Sequence, residues 1–295
     1  MNALPSSFLP RTISTVILWL AIVVAYVLRS EIAFTLLITL PAMGALWEYF
    51  SLLKSGGIAH HRGFGMATAL LLIGLNFWLL RSRDMFQQFA IFPFEEMVFA
   101  LLILSLFLRE FGRNSPGRTT ADAIVFTLFG VVYIPWLFLF MAKLLYLTPR
   151  DEHGFLTGQY LVLFVVAVTK FTDVGAFLCG SLFGRTPFFP NISPKKTWEG
   201  IAGALVLGVL VGLGIFHFFG NHLPPFSPVL VCELSLILGI SGIAGDLAES
   251  LLKRSVHTKD SGHALPGIGG GLDLIDSLLF TLPLFYFLYL FVLHP

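Results

Sequence analysis

Charge is scarce in this chain: Asp, Glu, Lys and Arg make up 12% of its 295 residues, against roughly a quarter in soluble domains. That shortage excludes a soluble globular enzyme. The two signs nearly cancel, at a formal net charge of +1, so the strongly basic balance of a nucleic-acid binder is missing and no nucleic acid is expected as partner. The only cysteines are Cys179 and Cys232, both in apolar stretches, which excludes a disulfide frame or a cysteine metal cluster. No Gly-x-x-x-x-Gly-Lys-Ser/Thr loop occurs, so the chain is not a P-loop NTPase. Internal repeats and low-complexity tracts are also missing, which leaves a transporter of inverted repeats without support. The histidines His60, His61, His153, His217, His222, His257, His263 and His294 show no metal-ligand spacing.

What the chain has in abundance is apolar length: 56% of it is hydrophobic, with 31 Phe. A bilayer core takes about 20 apolar residues per helix. Windows approaching or exceeding that length lie at 13–28, 32–50, 64–80, 94–108, 121–141, 160–180, 201–219, 229–252 and 272–293. The fold class read from them is all-α, a polytopic transmembrane helical bundle of about nine spans. The first window lacks a small-x-small cleavage pattern, so a retained first span is expected.

Orientation follows from the positive-inside bias. With a cytoplasmic N-terminus, one side collects Arg11, Lys54, Arg62, Arg109, Arg113, Arg118, Arg185, Lys195, Lys196, Lys253, Arg254 and Lys259. The other side holds only Arg29, Arg81, Arg83, Lys143 and Arg150. The loops at 181–199 and 253–271 are therefore expected in the cytoplasm, in a bacterial inner membrane protein surrounded by membrane lipids.

The two halves differ in chemistry. Residues 1–155 read as scaffold helices with few ionisable groups, Asp122 being the main exception, near enough to a span start for interfacial solvation. Residues 156–295 read as a catalytic region, because polar residues now enter the spans in clusters. An ionisable group in hydrocarbon costs about 2.5–3.5 kcal/mol on insertion scales, so such groups mark sites. Lys170 and Asp173 stand three apart on one helix face, open both to a structural ion pair and to a catalytic role. Ser193-Pro194 has the chemistry of a helix start, and Lys195 and Lys196 beside it suit a phosphate or an interfacial anchor. Asp246, Glu249, Ser250 and Lys253 are spaced to share one helical stripe. A glycine-rich turn containing Gly269 and Gly270 could cradle an anion. Asp273 and Asp276 follow it one turn apart, where two carboxylates repel unless a cation such as Mg²⁺ holds them. Lysines, a glycine nest and acids on two helices at one membrane face describe phosphoryl or nucleotidyl transfer to a lipid.

These residues resemble those of the phosphatidate cytidylyltransferases, also called CDP-diacylglycerol synthases. That family's signature reads Ser-x-hydrophobic-Lys-Arg, four residues, Lys-Asp-x-small, a Pro-containing stretch, His-Gly-Gly and Asp-Arg-x-Asp. Ser250, Leu252, Lys253, Arg254, Lys259, Asp260, Gly262, Leu265, Pro266, Gly269, Gly270, Asp273 and Asp276 occupy its places without a gap. Asp173 with Ala176 to Gly184, the run Ser193 to Gly200, and Gly245-Asp246 with Glu249-Ser250 also look like family motifs, and the resemblance covers about 160–285. Three positions depart: Ile268 stands in place of His, Gly271 in place of a large apolar residue, and Leu274 in place of Arg.

The resemblance implies an enzyme that joins CTP to phosphatidate, giving CDP-diacylglycerol and pyrophosphate, with Mg²⁺ required. It implies that Asp246, Asp273 and Asp276 hold metal, with Asp173 in the same polar cavity. Lys195, Lys196, Lys253, Arg254 and Lys259 would then bind phosphates, and Ser193 and Ser250 would cap or orient. Members of the family can be dimeric, so a homodimer is a further expectation. The departures at Ile268 and Leu274 keep two alternatives open: a CTP-dependent enzyme acting on another lipid phosphate or polyprenol, and an inactive membrane relative.

Overall fold

The structure is a computed structural model that describes residues 19–81, 91–111, 117–223, 226–256 and 270–293. Lys259, Gly269, Ile268 and the histidines at 257 and 263 lie outside the described residues. In chain order the helices are α1 (Trp19–Leu28), α2 (Glu31–Ser55), α3 (Arg62–Arg81), α4 (Ile91–Phe111) and α5 (Arg118–Val131). A π-helical turn, Val132–Trp136, leads on to α6 (Phe140–Leu147) and α7 (Gln159–Phe183). Strands β1 (Pro187–Phe189) and β2 (Ser193–Thr197) come next, followed by α8 (Trp198–Phe219), α9 (Pro228–Ser255) and α10 (Gly271–Leu288).

An all-α polytopic membrane fold is what the chain forms, but the span count is about seven rather than nine. Among the described residues, seven helices are long and apolar enough to cross a bilayer: Glu31–Ser55, Arg62–Arg81, Arg118–Leu147, Gln159–Phe183, Trp198–His222, Pro228–Ser255 and Gly271–Phe291. The two remaining windows fall short for different reasons. The window at 13–28 lies partly outside the described residues, and its described part, α1, is a short apolar helix. The window at 94–108 lies in α4, which carries Glu95 and Glu96 near its start and Arg109 and Glu110 at its end.

The chain groups into two compact units. The first comprises Met1–Ala142 with Ser255–Ile275, and the second Lys143–Arg254 with Asp276–Pro295.

In the first unit, α2 starts where the Ser30 hydroxyl accepts the Ala33 amide at 3.4 Å. Glu31 lies in its first turn and Lys54 in its last, each matched in sign to the helix dipole. Its end is marked by Gly57, whose φ of +69° is open to glycine at little cost. Ile38, Ala42, Leu46 and Phe50 are buried, whereas Ile32, Leu36, Leu40 and Trp47 are exposed. That is a helix with one face on protein and one on lipid. The Tyr49 hydroxyl donates to the Phe126 carbonyl at 3.1 Å, fastening α2 to α5. Leu102 and Leu106 of α4 pack with Ile124 and Val131 of α5. The α-helical ladder then breaks at Val132–Trp136, where Pro135 has no amide to donate.

In the second unit, α7 and α8 lie backbone to backbone. A Cβ on Gly175 would stand 2.7 Å from the Gly203 carbonyl oxygen and 3.0 Å from the Ala204 Cα. Small residues at such a crossing let membrane helices gain contact that apolar lipid offers no other drive for. Farther along, Phe164, Phe226 and Phe285 pack with ring centroids 5.6–6.3 Å apart. Thr169 donates to Thr281 at 3.1 Å, closing α7 against α10.

The helix start expected at Ser193-Pro194 is corrected. Ser193–Thr197 is a strand paired antiparallel with Pro187–Phe189, with Phe189 opposite Ser193 and Pro187 opposite Thr197. Helix α8 begins at Trp198 because Thr197, in extended conformation, accepts the Gly200 amide at 3.2 Å. Pro194 is compatible with the strand because in a two-stranded sheet every strand is an edge.

Candidate active site

Within the second unit, α7, α9 and α10 bring Lys170, Asp173, Asp246, Glu249, Lys253 and Asp276 to one place. The approach of α9 to α10 is set by Gly245. A Cβ there would stand 2.6 Å from the Asp276 carbonyl oxygen and 3.0 Å from the Ser277 Cα. With the backbones touching, the next residue on α9, Asp246, is brought beside Asp276 of α10. Glu249, one turn beyond Asp246, joins them, so that Asp246, Glu249 and Asp276 each offer a carboxylate oxygen within 4.8 Å of the others. Glu249 is 2% exposed and Asp276 6%.

Lysines surround this group. Lys196 of β2 pairs with Asp246 at 2.9 Å, and Lys253 pairs with Glu249 at 2.8 Å, one turn along α9. From α7, Lys170 lies 3.1 Å from Asp173 and 4.0 Å from Asp276. The Ser277 hydroxyl stands 3.2 Å and 3.3 Å from the two Asp173 oxygens and 3.2 Å from Asp276, linking the acids of two helices. Four carboxylates thus meet three lysines. Oxygen donors in this number, with one negative charge in excess, suit a hard divalent cation. Asp246, Glu249 and Asp276 are the residues that would hold such an ion.

Of the residues expected at the site, Asp173, Asp246, Asp276, Lys196 and Lys253 are assembled here. Ser250 is partly exposed on α9. Lys195 is exposed on β2, and Ser193 opens that strand. Arg254 is exposed, with Nε 3.5 Å from the Ile192 carbonyl. Asp273 is not among the three grouped carboxylates: it belongs to the first unit, where its Oδ2 accepts the Gly270 amide at 2.7 Å. Sequence alone put Lys170 and Glu249 in polar clusters without giving either a metal- or substrate-binding role, and did not single out Ser277. Lys170 and Glu249 had a visible signal, each standing three residues from an acid already chosen. Ser277 had none, since its role depends on the crossing of α7 and α10.

A model of the cytidylyltransferase family matches residues 10–292 of the chain. A protein of Bacillus subtilis (strain 168) named phosphatidate cytidylyltransferase is 33% identical over 262 residues, 89% of this chain and 90% of that protein. One of the same name from Staphylococcus haemolyticus (strain JCSC1435) is 36% identical over 185 residues, 63% of this chain and 66% of that protein. The Escherichia coli (strain K12) protein YnbB, described as uncharacterized, is 35% identical over 219 residues, 73% of this chain and 67% of that protein. With a family match spanning nearly the whole chain and a relative aligned over almost its full length, the chain belongs to the cytidylyltransferase family.

Proposed function

We propose that this membrane enzyme joins CTP to phosphatidate, releasing pyrophosphate and CDP-diacylglycerol, at the site formed by α7, α9 and α10. The observation that carries the proposal is the group of three carboxylates on membrane-crossing helices, Asp246, Glu249 and Asp276, with Lys170, Lys196 and Lys253 beside them. The names of the Bacillus and Staphylococcus relatives support the choice of substrates.

The reaction needs no covalent enzyme intermediate. A phosphate oxygen of phosphatidate attacks the α-phosphorus of CTP, a P–O bond forms, and the bond from that phosphorus to the oxygen bridging to the β-phosphate breaks. The electron pair leaves on pyrophosphate. Two anions must approach each other for this, and the main electrostatic work falls to the lysines. Lys170, Lys196 and Lys253 neutralise phosphate oxygens during the approach. Asp246, Glu249 and Asp276 would hold Mg²⁺, which supplies charge compensation on the nucleotide phosphates. Asp173, held by Lys170 and Ser277, keeps that lysine directed toward the acids. The bias of Lys and Arg among the loops favours a cytoplasmic site, on the side where CTP is available.

The test is purified protein in detergent with Mg²⁺ and labelled CTP, offered phosphatidate, a polyprenyl phosphate or no lipid. Labelled CDP-diacylglycerol formed only with phosphatidate is the expected result. Product with the polyprenyl phosphate alone would replace the acceptor, and no product with any acceptor from folded protein would overturn the enzymatic reading.

A further inference from the structure

Among the described residues, Glu48, Glu95 and Glu110 are buried carboxylates outside the site described above. Glu48 sits in α2, in the half of the chain whose sequence reads as scaffold, and is 6% exposed. Burying an ionisable group in a membrane helix costs several kcal/mol and marks a functional position unless something compensates it. Its partner lies far away in sequence: Oε2 accepts the Leu272 amide at 3.1 Å, in the first turn of α10. The amide ends of a helix carry partial positive charge, which offsets part of the cost. The other oxygen, Oε1, is buried and has no hydrogen-bond partner among the described residues.

The contact extends over the whole start of α10. A Cβ on Gly270 would collide with the Glu48 carboxyl group. A Cβ on Gly271 would stand 3.1 Å from the Ala45 nitrogen and from the Gly44 carbonyl carbon. Ala45 and Glu48, both buried, share one face of α2, and the two glycines are seated on that face. This accounts locally for Gly271, where relatives of the resembled family carry a large side chain. On the other side of the turn, Asp273 accepts the Gly270 amide at 2.7 Å. Two carboxylates, one from α2 and one from α10 itself, therefore fix amides of the turn that opens α10.

We infer that Glu48 is a positioning residue for the transferase reaction: it holds Gly270 and the first turn of α10, the helix on which Asp273 and Asp276 stand. The inference rests on the cytidylyltransferase reading. Glu48 touches no reacting atom, and acts by fixing where the last helix begins. Displacement of catalytic groups by about 1 Å costs on the order of a hundredfold in rate.

The experiment compares full-length wild type, Glu48→Ala, Glu48→Gln, Gly270→Ala and the Gly270→Ala/Glu48→Ala double variant in detergent. Turnover of labelled CTP and backbone amide exchange over residues 270–275 are measured on each. Glu48→Ala should lose about ten- to a hundredfold in kcat, with a smaller change in KM for CTP, and should speed exchange at Leu272. Glu48→Gln should recover most of both, because its amide oxygen accepts the same N–H. Gly270→Ala should lose turnover, and less so once Glu48 is removed, because the colliding atoms are gone. Full activity in Glu48→Ala, a Gln variant as impaired as Ala, or additive losses in the double variant would each overturn the proposal. A wild type without turnover overturns the transferase reading, and the exchange measurements still decide whether Glu48 holds the turn.

Discussion

Asp276 is the residue on which the site turns: it belongs to the carboxylate group, faces Lys170, and shares the Ser277 hydroxyl with Asp173. Asp276→Asn keeps the shape and removes the charge. It should lower turnover about a hundredfold or more, whereas Asp122→Asn, on α5 of the first unit, should leave it unchanged. Equal turnover of labelled CTP by the two variants would refute the assignment. Glu249→Gln separates the set read from sequence from the one the structure assembles. It should raise the Mg²⁺ concentration for half-maximal rate about tenfold, on the scale of altered metal-site ligands. A dependence on Mg²⁺ like that of wild type would return the metal to Asp246 and Asp276 without Glu249. At this scale the sequence was legible where charge in an apolar span is costly, as at Asp173, Asp246 and Asp276. It was silent where a role arises only from a crossing of helices, as at Ser277 and Glu48.

The elements explain why those side chains meet. Gly245 is the point where α9 touches the backbone of α10, so Gly245→Val would force the helices apart and cost about 1–3 kcal/mol by overpacking. It should lower the Tm in detergent and abolish turnover even though every charged residue remains. A variant with normal activity would show that the close approach is not needed. Thr197→Ala removes the cap of α8 and should cost about 1 kcal/mol, read as a lower Tm with turnover largely kept. The boundaries of the long helices followed from runs of apolar residues. The strand pair did not, because Ser193-Pro194 has the local chemistry of a helix start and only the pairing of Phe189 with Ser193 and Pro187 with Thr197 decides otherwise.

For the whole molecule, a multi-pass membrane protein was legible from composition alone, since 56% hydrophobic content has no soluble use on this scale. The number of crossings was less so: α4 resembles a span in its centre and carries acids and a base toward its ends. A single cysteine at Arg185 in a background without Cys179 and Cys232 tests orientation. A membrane-impermeant thiol reagent should label it in inverted membrane vesicles and not in intact cells, and labelling in intact cells would reverse the topology. Chelation of divalent ions should stop turnover and added Mg²⁺ should restore it. The three lysines paired with the site acids carry one more consequence. Lys196 and Lys253 pair with acids that would hold the ion, so metal there would leave these two lysines to anions of their own, while Lys170 stays with Asp173. Nucleotide phosphates are those anions. Metal and CTP are therefore thermodynamically linked: each should tighten binding of the other by the same factor.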